Sequence, residues 1–104
     1  MSEAPPRPIA LVIDDELEIR RFLRVSLNAN GYDVHEVATG AEGVTQAAML
    51  RPEIIILDIG LPGVDGRELC RRLRARADAL PIIFLTSRED EFDRVLGLEI
   101  GADD

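Results

Sequence analysis

Residues 54–66 read IIILDIGLPGVDG. Ile54, Ile55, Ile56 and Leu57 form an unbroken apolar run, mostly β-branched, which predicts a short strand buried on both faces, as in a parallel sheet. The run stops at Asp58, and Gly60, Pro62, Gly63 and Gly66 then punctuate a loop. A carboxylate at the carboxyl end of a buried strand, above a glycine-rich loop, stands where open α/β sheets place their chemistry. Taken alone, Asp58 reads more simply as a residue that caps a turn. What lies upstream decides between the two.

Residues Ile9–Ile13 (IALVI) form a second apolar run that leads straight into Asp14, Asp15 and Glu16. A helix is expected over 16–30, with Ile19, Phe22, Leu23 and Leu27 on one face at a 3.6-residue period and Gly31 as its stop. Glu16 follows the acidic pair and favours the helix start. Residues 33–38 (DVHEVA) alternate, as a strand near a sheet edge does. Thr39 caps a second helix to about Leu50 that turns Ala41, Val44, Ala47 and Ala48 inward, and Pro52 closes it. After the strand at 54–57, a third helix over 66–77 buries Leu69, Cys70 and Leu73 and turns five arginines, Arg67, Arg71, Arg72, Arg74 and Arg76, outward. Pro81 opens a fourth strand over 82–86 (IIFLT), and Asp90 caps a fourth helix to about Ile100 with Phe92, Val95, Leu96 and Leu98 on its apolar face.

Strand and helix thus alternate through the chain with short connections, which implies parallel strands joined by right-handed crossovers. The expected fold is an open, doubly wound, flavodoxin-like α/β sheet of order 2-1-3-4. Residues 1–8, with three prolines, read as a loose arm, and 9–104 as one domain.

Composition narrows the function. The 104 residues carry a net charge of −8, a balance that disfavours direct nucleic-acid binding because nothing would neutralise phosphates. All 12 basic residues are arginine, so no lysine is available for chemistry. Cys70 is the single cysteine, so no internal disulfide forms. No run has membrane-spanning length and residues 1–8 lack the apolar core of a signal peptide, which makes a cytoplasmic protein the expectation.

In a parallel sheet the carboxyl ends of all strands share one edge. Asp14 and Asp15 end the first strand, Asp58 the third, and Thr86 and Ser87 the fourth. With strands one and three as neighbours, three carboxylates converge at the topological switch point. They repel one another unless a cation lies among them or one keeps a proton. Hard oxygen ligands suit Mg²⁺, which prefers one or two carboxylates together with phosphate oxygens and water. A carboxylate is also a nucleophile toward phosphorus, and Asp58, beside its glycine-rich loop, fits that role best. A Thr86 hydroxyl nearby could donate a hydrogen bond to a phosphoryl oxygen.

With these residues in view, the chain resembles the receiver domain of two-component response regulators. The resemblance runs from Ile9 to Asp104 through VIDDE, LDIGLPGVDG, PIIFLTS and the final GADD. It is nearest to receivers of the winged-helix transcription-factor subfamily, in particular regulators of potassium-transport genes, whose strand-three loop is similar. The resemblance implies a phosphorelay in which Asp58 accepts a phosphoryl group from a sensor histidine kinase. It implies Mg²⁺ held by Asp14, Asp15, Asp58 and the Gly60 backbone carbonyl. It also makes Thr86 a switch hydroxyl that reshapes the helix-four surface, with small Ser87 leaving the phosphoryl group accessible. The parent protein would control transcription through a separate DNA-binding domain.

Members of the family continue into a fifth strand, which opens with a phosphoryl-pairing lysine, and a fifth helix. The receiver is therefore expected to be incomplete, with a weakened switch and self-association through the strand-four edge or the helix-four face. Two other functions compete. One is an inert or dimerising receiver-fold module. The other is an aspartyl-phosphate hydrolase, which the spacing disfavours: that class sets its second Asp two residues after the nucleophile, whereas Asp15 directly follows Asp14. A flavin site is disfavoured by the acidic loop after strand one. Cys70 reads as a small core residue, His35 as a surface residue, and the helix-three arginines and Arg88 as solvated.

Overall fold

The computed structural model describes residues 6–61, 65–75 and 80–85. Its elements run β1 (Ile9–Ile13), α1 (Leu17–Ala29), β2 (Asp33–Val37), α2 (Gly40–Leu50), β3 (Ile54–Asp58), α3 (Gly66–Leu73) and β4 (Ile82–Leu85). The strands make one parallel sheet of order β2-β1-β3-β4. The expected fourth helix, Thr86, Ser87, Arg88 and the final GADD lie outside the described residues.

Alternate side chains of a strand point to opposite faces of a sheet. Leu11, Ile13, Ile55 and Leu57 point to the face where α2 and α3 lie, and pack there with Leu69, Cys70 and Leu73. Ala10, Val12 and Ile56 point to the other face and are also buried. Burial on both faces is why β1 and β3 are continuous apolar runs. Each fully buried Leu or Ile contributes about 1.5–3 kcal/mol. The closest approach is at Gly43 of α2, where an added Cβ would lie 2.5 Å from Ile13 Cδ1.

The helix ends follow local chemistry. Thr39 Oγ1 accepts from the Glu42 N–H at 3.1 Å, and Glu42 reaches back to the Ala38 N–H. Asp65 Oδ1 accepts from the Arg67 N–H at 3.0 Å, a cap that the sequence reading missed in the glycine-rich loop. Gly31 stops α1 with φ of 96°, a conformation that glycine adopts without strain. Arg7 donates to the carbonyls of Asn28 and Gly31, adding side-chain partners where α1 ends.

Four expectations need correction. Phe22 is 66% exposed rather than inward. The helix α1 rests on β1 and β2, and Ile19, Leu23 and Leu27 suffice to cover that narrow strip, leaving Phe22 and Val25 on its flank. Ala41 is exposed, because α2 turns Gly40 and Gly43 to the sheet instead. Arg74 is half-buried and donates to the Leu80 carbonyl, so the arginine face of α3 is narrower than its sequence suggests; α3 itself ends at Leu73 rather than near 77. His35 lies half-exposed on β2, with its Nε2 3.5 Å from Asp33 Oδ2.

Candidate functional site

The register of the sheet builds the site. Ile13 pairs with Leu57, so the next residues, Asp14 and Asp58, reach the carboxyl edge of the sheet side by side. A parallel sheet gives both strands the same direction, which is why two carboxylates distant in sequence end at one level. Asp15 follows on the turn into α1. One carboxylate oxygen from each of Asp14, Asp15 and Asp58 lies within 4.8 Å of the others.

Burial divides the three. Asp14 is 1% exposed and Asp58 4%, whereas Asp15 is exposed. Each buried carboxylate ties itself to the turn that follows it. Asp14 Oδ1 accepts from the Glu16 N–H at 2.9 Å, and Asp58 Oδ1 accepts from the Gly60 N–H at 2.8 Å. The two strand ends therefore repeat one device, in which a carboxylate folds the next two residues back over itself.

Electrostatics follow from this crowding. Burial is the main cause that lifts the Asp14 carboxyl from 3.8 to about 6; the Glu16 N–H opposes it, and the charges of Asp58, Glu16 and Asp15 add to it. Asp58 is raised as well, again chiefly by burial, with the Gly60 N–H opposing, the Asp15 charge adding, and a hydrogen bond to Asp14 opposing. Two buried carboxylates and an exposed third make a donor set of hard oxygens that gains by taking up either a proton or a small divalent cation. The chemistry of the donor set fits Mg²⁺.

The structure thus brings together Asp14, Asp15 and Asp58, with Gly60 adjoining through its hydrogen bond to Asp58. Thr86 and Ser87 lie outside the described residues, directly after Leu85, which pairs with Asp58 across β3 and β4. The sequence reading missed Arg20. Its Nη1 donates to the Asp14 carbonyl at 2.9 Å and its Nε to Glu36 Oε1 at 3.2 Å. An arginine on the first turns of a helix resembles any solvated arginine, so only the fold reveals this contact.

Residues 10–104 match the family described as the response regulator receiver domain. The chain is 50% identical over 97 residues to the transcriptional regulatory protein AfsQ1 of Streptomyces coelicolor, covering 93% of this chain and 43% of that protein. It is 46% identical over 94 residues to the alkaline phosphatase synthesis transcriptional regulatory protein PhoP of Bacillus subtilis, covering 90% of this chain and 39% of that protein. The chain therefore spans less than half the length of either relative. Among solved structures it superposes on the response regulator TrrA of Thermotoga maritima in complex with Mg²⁺-BeF, with a TM-score of 0.72 and 30% identity over 85% of this chain and 76% of that one.

Proposed function

Since the chain belongs to the response regulator receiver domain family, we propose that it takes its phosphoryl group on Asp58, from the phosphohistidine of a sensor histidine kinase. The observation that carries this reading is the placement of Asp58 at the end of β3, beside Asp14 and Asp15, with its Oδ1 occupied by the Gly60 N–H. The other carboxylate oxygen is then the nucleophile. It attacks phosphorus as the P–N bond to the imidazole breaks, and the departing imidazole nitrogen keeps the electron pair and takes up a proton from solvent.

Asp14, Asp15 and Asp58 would hold Mg²⁺ here, joined by the Gly60 carbonyl. Bound Mg²⁺ supplies positive charge against the negative charge of the transferring phosphoryl group. Asp14 and Asp15 gain by the same contact, since a cation offsets both the burial that chiefly raises Asp14 and the neighbouring charges that add to it. Thr86 is the switch hydroxyl in this reading, with Ser87 beside it. The protein is a phosphoacceptor switch rather than an enzyme acting on other substrates, and any loss of the phosphoryl group is self-directed.

The finer identity is a regulator of the winged-helix transcription-factor type, and the DIGLP loop favours one that controls potassium transport. A receiver works where its kinase presents phosphohistidine, which places the protein in the cytoplasm. Self-association through the β4 edge or the helix-four face belongs to this reading, because β4 offers an apolar strand edge for pairing.

The test is intact mass after incubation with an acyl phosphate and Mg²⁺, beside an Asp58→Asn variant. One added phosphoryl group, absent from the variant, is expected. A folded chain that stays unmodified would reject the reading and return the inert, dimerising module. Modification that persists in Asp58→Asn would move the acceptor elsewhere.

A further inference from the structure

Arg20 links the turn that carries the acidic cluster to the edge strand. Its Nη1 meets the Asp14 carbonyl at 2.9 Å and its Nε meets Glu36 Oε1 at 3.2 Å, while the second Glu36 oxygen accepts from Arg24 Nη1 at 2.7 Å. The Arg20 and Glu36 side chains are each only 18% exposed, whereas that of Arg24 is 44% exposed. A guanidinium is planar and always charged, so two bonds from one fork fix its position and with it the oxygen it holds.

The Asp14 backbone is held on both sides. Its N–H donates to the Val37 carbonyl of β2 at 3.2 Å, and its carbonyl accepts from Arg20. The peptide unit between Asp14 and Asp15 is planar, so the Asp14 carbonyl and the Asp15 N–H turn together. Fixing the one sets where the exposed Asp15 side chain starts. The charges acting on the Asp14 carboxyl are those of Asp58, Glu16 and Asp15, and Arg20 meets the backbone oxygen instead. Arg20 therefore touches the cluster through its backbone rather than through a carboxylate.

We propose that Arg20 is a positioning residue for the acidic cluster: by tying the Asp14 carbonyl to Glu36, it keeps Asp14 and Asp15 set toward Asp58 and so strengthens divalent-cation binding there. The inference rests on the metal-binding reading of the cluster. Glu36 is part of the device because it holds the guanidinium in place. Arg24 is not, because it touches Glu36 alone and leaves the Asp14 carbonyl untouched.

The experiment is titration calorimetry of the unphosphorylated chain with Mg²⁺, paired with thermal unfolding and the amide NMR shift of Asp15. Loss of a group that orients metal ligands weakens metal binding roughly 10- to 100-fold, and about tenfold is expected for Arg20→Met. Arg20→Lys keeps a charge that can reach one partner at a time, so its affinity falls between the two. Arg24→Met loses an ion pair to Glu36 and some thermal stability, yet keeps the Mg²⁺ affinity and the Asp15 shift. A purely structural role would lower the unfolding temperature of Arg20→Met while leaving its Mg²⁺ affinity within about twofold, and that result overturns the proposal. Should Arg20→Met fail to fold, Glu36→Gln decides: weaker Mg²⁺ binding supports the device, and unchanged binding overturns it. If the unaltered chain binds no Mg²⁺, the metal-site reading falls and the positioning role with it; if only the variants behave as the unaltered chain does, the positioning role alone falls.

Discussion

Replacing Asp14 with asparagine should stabilise the metal-free protein, although it removes a residue from the proposed site. Asp14 is 1% exposed and its carboxyl is raised from 3.8 to about 6, chiefly by burial. One pH unit corresponds to about 1.4 kcal/mol, so holding Asp14 ionised in the folded chain costs about 3 kcal/mol at neutral pH. Because the folded-state value lies above the unfolded one, the folded chain keeps this proton more tightly. This group's penalty is absent well below about pH 4, grows as pH rises toward 6, and is complete above that. Asparagine keeps the shape and an oxygen for the Glu16 N–H while carrying no charge. Asp14→Asn should therefore gain about 1–3 kcal/mol at about pH 7.5 with chelator present, a rise in midpoint temperature on the order of 10 °C for a domain of this size. Near pH 4 the gain should shrink to about half a kcal/mol. Adding Mg²⁺ should narrow the gap at neutral pH, since only a chain that binds the cation tightly is stabilised by it. Urea unfolding at both pH values, with and without Mg²⁺, measures all of this. A variant no more stable than the unaltered chain at neutral pH, or a gain of equal size at both pH values, would refute the reasoning.

Two further predictions concern the scaffold. Gly43→Leu should lower stability by about 1–3 kcal/mol, because even a Cβ would meet Ile13 Cδ1 at 2.5 Å and Ile13 is fully buried; a denaturation midpoint unchanged from the parent would show that α2 lifts away freely. Thr39→Ala should cost about 1 kcal/mol through loss of the bond to the Glu42 N–H, whereas Thr39→Ser should cost much less, and equal losses in the two would exclude capping as the cause.

The local structure was legible because its signals are local. Apolar runs at β1, β3 and β4, alternation in β2, Thr39 before α2 and Gly31 after α1 each act through neighbouring residues. They placed every described element within a few residues, the largest miss being the end of α3. What periodicity could not supply was the width of the surface each helix covers. Phe22 fits the apolar period of α1 as well as Ile19 does, yet among the described residues α1 rests chiefly on β1 and β2 and leaves Phe22 on its flank. Ala41 failed for a related reason, since the close approach of α2 to the sheet is made through glycines.

The candidate site was legible to the extent that chemistry falls at strand ends. Asp14, Asp15 and Asp58 each follow or end an apolar run, and a parallel sheet puts all such ends on one edge. Asp65 and Arg20 were not legible. One lies in a loop where glycines dominate the pattern, and the other makes its bonds to a backbone oxygen and to a strand whose neighbour is chosen by the whole sheet.

By itself, then, the sequence determined the kind of each described element, roughly where each stops except at α3, and the acidic character of the strand ends, because those depend on side-chain periodicity and turn chemistry within a few residues. Only the tertiary structure decided that Ile13 and Leu57 share a register and so bring Asp14 beside Asp58. It also decided that these two lose water while Asp15 keeps it, and that Arg20 grips the turn from behind. Those outcomes depend on which surfaces exclude solvent and which strands become neighbours, and burial and long-range pairing have no local signature in the chain.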